Sequence, residues 1–273
     1  MAERHSTSRG QAAERVSASR YIFRSRLLRG AFLSLVISGI GISITIPQIT
    51  LFLVEELHLS EAQAGLYFLT NLAAPFVGYV VGSLSDRTGS RLLVFRLSAL
   101  AGFAGWVLMA LAMQAWMPFV INALLLSAAG AGAAQLQAAV RDELNRAPTP
   151  ADNEVVALIR MAMALGWIVG PVLGAVLGAV LGLRPLLLVT GISVLLSLVP
   201  LIGVRAAPPF AGEAPPRPTV RVPRRRSTLP LLVFTGIYVL IMCGETVKLA
   251  YLPLYMDGES GGSVCRSSSG SPL

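Results

Sequence analysis

Gly82-Ser83-Leu84-Ser85-Asp86-Arg87-Thr88-Gly89-Ser90-Arg91 is a short polar segment lodged between two long apolar ones, at about residues 62–84 and 92–115. Each flanking run meets the roughly 20 residues that an α-helix needs to cross the hydrocarbon core of a bilayer. The segment therefore reads as a turn at a membrane surface. Gly82 lets two backbones approach closely, and Gly89 permits a turn with positive φ. Asp86 is placed to accept hydrogen bonds or to pair with a cation.

Outward from this turn, the same ruler finds seven candidate spans, at about 27–53, 62–84, 92–115, 117–140, 155–182, 184–204 and 229–256. Apolar residues make up 54% of the chain and charged residues 13%, about half the charged share of an ordinary globular protein. The charges also crowd into short segments between apolar runs. Despite a net charge of +8, this excludes a cytosolic enzyme, a disordered regulator and a nucleic-acid binder. The expected class is an all-α integral membrane protein. The first run exceeds the roughly 7–15 residues of a signal-peptide core and should remain as a membrane anchor. Ser60 and Gln63 have the spacing of a capping box that opens the second helix, and Thr149-Pro150 suggests a similar start for the fifth.

Orientation follows from the basic residues, which accumulate on the cytoplasmic side of a membrane. Eighteen of the 22 Lys and Arg fall in the N-terminal 29 residues, the second and fourth connections, and the stretch 205–227. Arg184 and Arg266 lie on the opposite side, and Arg160 and Lys248 lie within spans. The expected organisation is a cytoplasmic basic tail (1–26), a six-helix bundle (27–204), a cytoplasmic Pro/Arg-rich linker (205–228), a seventh transmembrane helix (229–256) and a disordered Gly/Ser-rich tail (257–273). The N-terminus is cytoplasmic, and the protein is a multi-pass protein of the cell (inner or plasma) membrane. Cys243 and Cys265 support neither a disulfide framework nor a metal site. His5 and His58 are isolated, and no nucleophile–base spacing surrounds them. The chain is expected to be no enzyme, with no catalytic residues, no metal, no cofactor and no nucleic-acid partner.

The amides inside the spans point to a ligand. Gln48, Asn71, Asn122, Gln135 and Gln137 offer paired donors and acceptors, the chemistry suited to sugar hydroxyls; Asn71 and Asn122 could equally join helices to one another. Three charges are costly where they stand, about 2.5–3.5 kcal/mol each on insertion scales. Arg160 either faces a cavity or snorkels to the surface. Glu245 and Lys248, three apart on one helix face, either serve transport or form a structural ion pair.

The 82–91 turn resembles the G-x-L-x-D-R-x-G-R/K signature of the major facilitator superfamily, with Ser90 and Arg91 where that pattern usually has two basic residues. In the fifth span, Gly166-Trp167-Ile168-Val169-Gly170-Pro171-Val172-Leu173-Gly174 resembles the G-x-x-x-G-P-x-x-G element common in proton-driven exporters. Its four-residue glycine spacing continues through Gly178 and Gly182, so one helix face is almost bare of side chains. Further pieces are similar to the sugar efflux transporter branch: Pro47 to Leu53, Gly65 to Phe68 with Asn71, Gln135 to Ala138 with Arg141-Asp142, Arg160 with Trp167, and Pro253-Leu254-Tyr255. The resemblance runs from about 27 to 256. It departs from many drug exporters in lacking a basic residue early in helix four, where Asn122 stands.

The resemblance implies the N-terminal six-helix half of a major facilitator fold plus a seventh transmembrane helix. It also implies a conformational-gating role for Gly82, Asp86, Arg87, Gly89 and Arg91, and a helix-packing role for Gly166, Gly170, Pro171 and Gly174. In the superfamily, helices one, four and seven line the central cavity. The substrate-binding residues implied are thus Gln48 and Gln135, with Asn71, Arg160 and Trp167, and the coupling or ion pair is Glu245 and Lys248. The implied activity is secondary active export of a sugar or small amphipathic compound by alternating access, with the proton as coupling ion. The alternatives are a multidrug exporter of the same superfamily and a membrane protein that only packs or dimerises. Because the superfamily fold has two six-helix halves, this chain is expected to be a truncated or frameshifted copy. Its glycine stripe is then expected to lack its partner, and the chain to pair with a second copy or be unstable, in neither case exporting sugar by itself.

Overall fold

The structure, a computed structural model, describes residues 18–146, 148, 151–204 and six positions between 233 and 244. The chain divides into two units, Met1–Phe210 and Ala211–Leu273. In the second unit the six described positions, 233, 236, 237, 240, 241 and 244, are all helical. Among its described residues the first unit has six helices long and apolar enough to cross a membrane: α1 (Arg26–Glu56), α2 (Glu61–Thr88), α3 (Arg91–Ala110), α4 (Met117–Arg146), α5 (Asp152–Leu181) and α6 (Leu183–Leu201). Lipid offers no hydrogen bonds, so each apolar run satisfies its backbone within itself, which only a helix can do in a single segment.

The helix ends follow local chemistry. At the start of α2, Gln63 N–H donates to Ser60 Oγ (3.3 Å) and Ser60 N–H donates to Gln63 Oε1 (3.0 Å), the capping box expected there. α2 and α5 both stop at a glycine with positive φ, Gly89 at 63° and Gly182 at 85°. The N-cap of α5 is Ala151, which has no side-chain cap; Thr149 and Pro150 lie outside the described residues. Besides α6, whose last turn Val199–Leu201 is 3₁₀, three helices are irregular within their spans. α1 has a 3₁₀ turn at Ile46–Gln48 around Pro47 and a π-turn at Phe52–Glu56. α2 has a 3₁₀ turn at Phe68–Leu72, and α4 has a π-turn at Asn122–Leu126.

The helices contact one another in the order α5–α1–α6–α3–α4–α2. Exchanging α1 with α4, α2 with α5 and α3 with α6 reads the same row backwards, so the bundle is two three-helix repeats related by a pseudo-twofold axis. Burial follows this order. The inner α1 has 56% of its apolar window buried, whereas the terminal α5 and α2 have only 17% and 11%. Larger side chains form a cluster near each end of the bundle. One gathers Leu28, Leu35, Phe95, Leu136, Val140 and Ile159, and the other Phe52, Leu53, Tyr67, Trp106, Met109 and Leu187. Between them the helices meet through small residues. Ser34 Oγ donates to the Ser197 carbonyl (2.6 Å), and Thr45 and Thr190 share a hydroxyl hydrogen bond.

Candidate functional site

The 82–91 turn is the start of a charged network. Gly89 caps α2 in the left-handed conformation, with its N–H donating to the Ser85 carbonyl (3.0 Å). That reversal aims Arg91, the first residue of α3, at two carboxylates. Arg91 Nε donates to Asp142 Oδ2 of α4 (2.6 Å), and Arg91 Nη1 donates to Asp86 Oδ1 (3.3 Å). The two contacts are unequal. The Asp142 side chain is 20% exposed and Asp86 is 69% exposed, so water screens the second far more than the first. Arg87 points to solvent. Gly82 lies beside Gln135 of α4, whose Nε2 is 3.9 Å from where a Cβ at Gly82 would stand. Asp142 is the member of this network that the turn's own pattern does not reveal. The available signal was topological, since the end of α4 and the α2–α3 turn share one end of the bundle.

The opposite end carries a second network centred on Arg184, at the start of α6. Its Nε donates to Glu56 Oε2 (2.8 Å), and its Nη1 donates to the carbonyls of Ala110 (2.8 Å) and Ala112 (3.0 Å) at the end of α3. The guanidinium also lies 5.7 Å from the Phe52 ring centre. Arg96 answers this from α3, donating through Nη2 to the carbonyls of Leu201 and Val204, each at 3.0 Å, where α6 ends. A cation at a helix C-terminus satisfies carbonyls that lack intrahelical donors and offsets the negative end of the dipole.

The glycine stripe of α5 is not unpartnered. A Cβ on Gly166 would stand 2.5 Å from the Gly39 carbonyl carbon and the Ile40 nitrogen of α1. Gly170 faces Ser43, Gly174 faces the Ile44 carbonyl, and Gly178 lies 3.7 Å from the Gln48 amide by the same measure. Ser43 Oγ completes the seam, reaching the Gly166 carbonyl at 2.8 Å. This corrects the expectation that the stripe awaits a second half or a second copy. α1 fills it, because glycine spacing specifies close approach but not the approaching helix. Gly182 belongs to the helix cap and faces nothing within 4 Å, and Pro171 is exposed.

Of the intramembrane polar residues, Asn71 and Asn122 are brought together. Asn122 Nδ2 donates to Asn71 Oδ1 (3.0 Å) and to Thr70 Oγ1 (2.6 Å), tying α4 to α2. The pair borders a groove of about 290 Å³ lined by Asn71, Ala74, Gly78, Asn122, Ser127 and Gly130 among others. Asn122 is buried, whereas Asn71 is exposed. Gln135 is buried beside α2, and its Oε1 has no hydrogen-bond partner among the described residues. Gln48 sits at the α1–α5 seam. Arg160 is exposed and shares a water-sized recess of about 10 Å³ with Gln137 and Arg141. Trp167 is exposed on α5. No contact or cavity among the described residues gathers Gln48, Asn71, Gln135, Arg160 and Trp167 into one site. Glu245 and Lys248 lie outside the described residues.

The family model of the Major Facilitator Superfamily matches residues 31–270, which carries the similarity past residue 256. A Deinococcus radiodurans protein named as a sugar efflux transporter is 25% identical over 188 residues, 68% of this chain and 48% of the relative. Sugar efflux transporter A of Dickeya chrysanthemi is 25% identical over 236 residues, 85% of this chain and 59% of the relative. The chain thus spans about half the length of the curated relatives it matches.

Proposed function

This chain belongs to the Major Facilitator Superfamily, and from that premise we propose that it serves secondary active export of a sugar or related small hydroxylated molecule by alternating access. The groove at Asn71 and Asn122 is the observation that carries this reading. An amide exposed on an apolar membrane face is costly unless water or a ligand meets it. Asn122 holds the Asn71 amide by its oxygen, and among the described residues both Asn71 N–H donors are left to meet hydroxyl oxygens. The names of the two relatives point to the same substrate class. In this reading Gln48, Gln135, Arg160 and Trp167 contact substrate in other parts of the transport path. The Asp86 turn, through Gly82, Asp86, Arg87, Gly89 and Arg91, gates it, and Glu245 paired with Lys248 carries the proton.

The test is counterflow of labelled mono- and disaccharides by the full chain reconstituted in liposomes. Flux above that of empty vesicles is expected for at least one sugar. Loss of one buried hydrogen bond to the substrate costs about 1–3 kcal/mol, so Asn71→Ala should weaken binding of that sugar about tenfold. A chain that exports lipophilic cations but no sugar would replace the sugar reading with a multidrug one. Proton coupling predicts that Glu245→Gln abolishes flux driven by a pH gradient while sparing counterflow.

The same proposal places the N-terminus and the 205–228 linker in the cytoplasm. A reporter active only in the cytoplasm should work when fused within 205–227 and fail when fused after Met256. The reverse pattern would turn the bundle over and put the Asp86 turn outside.

A further inference from the structure

The two charged ends of the bundle share one pattern of residues and pairing. Gly89-Ser90-Arg91 opens α3 and Gly182-Leu183-Arg184 opens α6, with the glycine at φ 63° and 85°. In each case the arginine Nε meets a carboxylate near the C-terminal end of another helix, Asp142 of α4 at 2.6 Å and Glu56 of α1 at 2.8 Å. α3 and α6 are exchanged by the pseudo-twofold relation, and so are α4 and α1. The likeness therefore extends over four helices, a positive-φ glycine two residues before the arginine, and one guanidinium atom; the turns themselves differ, with ψ 18° at Gly89 and 170° at Gly182.

We propose that Glu56 and Arg184 form a latch, the internal counterpart of the Arg91–Asp142 pair, which holds the tip of α1, residues 49–56, closed at the far end of the bundle. The tip is set off from the rest of α1 by the turn at Ile46–Gln48. There Pro47 has no N–H to continue the hydrogen-bond ladder. The tip ends in the π-turn at Phe52–Glu56, so neither of its boundaries is regular helix. Below residue 46, α1 is clamped by the glycines of α5 and the small residues of α6. Above it, the tip is held by the end cluster, where Phe52 and Leu53 are buried, and by Glu56.

Of the two partners, Glu56 is the one free to move. Arg184 is fixed to the end of α3 by the Ala110 and Ala112 carbonyls whether or not Glu56 is present. The side chains of the pair are 33% and 36% exposed, so water competes for the bond and makes it breakable. The ends also differ. Ala179 stands three residues before Gly182, where Asp86 stands three before Gly89, so the far latch has one carboxylate and the near network two. The far end is the more easily released. The latch takes its role from the alternating-access reading, but its existence is a property of the fold alone.

Hydrogen exchange of the full chain in lipid nanodiscs tests it without substrate. Glu56→Gln keeps the Arg184 caps in place and should raise exchange of the amides of residues 49–56 about tenfold, leaving residues 140–146 at the parent rate. Asp142→Asn should do the reverse, and Glu56→Asp, which keeps the charge, should stay within about threefold of the parent. The latch is refuted if Glu56→Gln leaves residues 49–56 unchanged, or raises both ends equally. It is equally refuted if Arg184→Ala loosens the tip while Glu56→Gln does not, since Arg184 would then act only as a cap for α3. Failure of sugar counterflow with these exchange patterns intact would remove the transport reading and leave the latch standing.

Discussion

Gly166→Ala should cost the bundle about 3 kcal/mol or more, the upper range for overpacking a dense interface. The added methyl carbon would stand 2.5 Å from backbone atoms of Gly39 and Ile40. Backbone cannot rotate away as a side-chain tip can, so α1 and α5 must separate. Gly174→Ala meets the Ile44 carbonyl and should behave alike. Gly178→Ala is the internal control. Its Cβ would find ordinary contacts at 3.7 Å, and alanine is the better helix former, so its stability should stay within about 0.5 kcal/mol of the parent. Thermal unfolding in detergent, followed by loss of the monodisperse peak, gives the ranking. Equal behaviour of Gly166→Ala and Gly178→Ala would mean that α1 does not fill the stripe.

Asp142→Asn should cost more stability than Asp86→Asn, although Asp86 belongs to the more recognisable motif. Asp142 accepts a charge-assisted bond of 2.6 Å from Arg91, and both side chains are about one-fifth exposed. Such a bond contributes about 1.5–3 kcal/mol. Asp86 meets the same arginine at 3.3 Å from a mostly solvated position, where ion pairs contribute little. The same unfolding assay measures both variants. If Asp86→Asn proves the more damaging, Asp86 is tied down by contacts beyond Arg91.

The helices were legible because membrane thickness sets a length that apolar runs either meet or miss. Their ends were less so, since hydropathy measures the membrane rather than the helix. α4 runs on to Arg146, six residues past the expected 140, because the charged stretch 141–146, with Leu144 buried in the end cluster, continues the helix beyond the apolar run. α3 stops at Ala110 rather than 115, where Arg184 takes the Ala110 and Ala112 carbonyls. The capping box at Ser60 and the glycine turn at Gly89 were readable because each rests on neighbours in sequence. What spacing alone could not supply was the identity of distant partners: α1 for the glycine stripe, Asp142 for Arg91, and Glu56 for Arg184. Asn71 and Asn122 were read as either ligand groups or a helix-to-helix link. The structure forms the link and leaves the Asn71 donors available at the groove.

The seam between α1 and α5 is unusual in its friction as well as in its closeness. Helices that mesh ridges into grooves resist sliding, because each side chain must climb over its neighbour. The stripe from Gly166 to Gly178 offers no such teeth. Ser43 Oγ has three carbonyl acceptors within reach, Gly39 at 2.7 Å, Ile40 at 3.0 Å and Gly166 at 2.8 Å. Its single proton can pass from the opposite helix to its own by rotating one torsion, so a small axial slip leaves no polar group unserved. The interface thus resists being pulled apart while remaining smooth along its length, like a shaft in a sleeve.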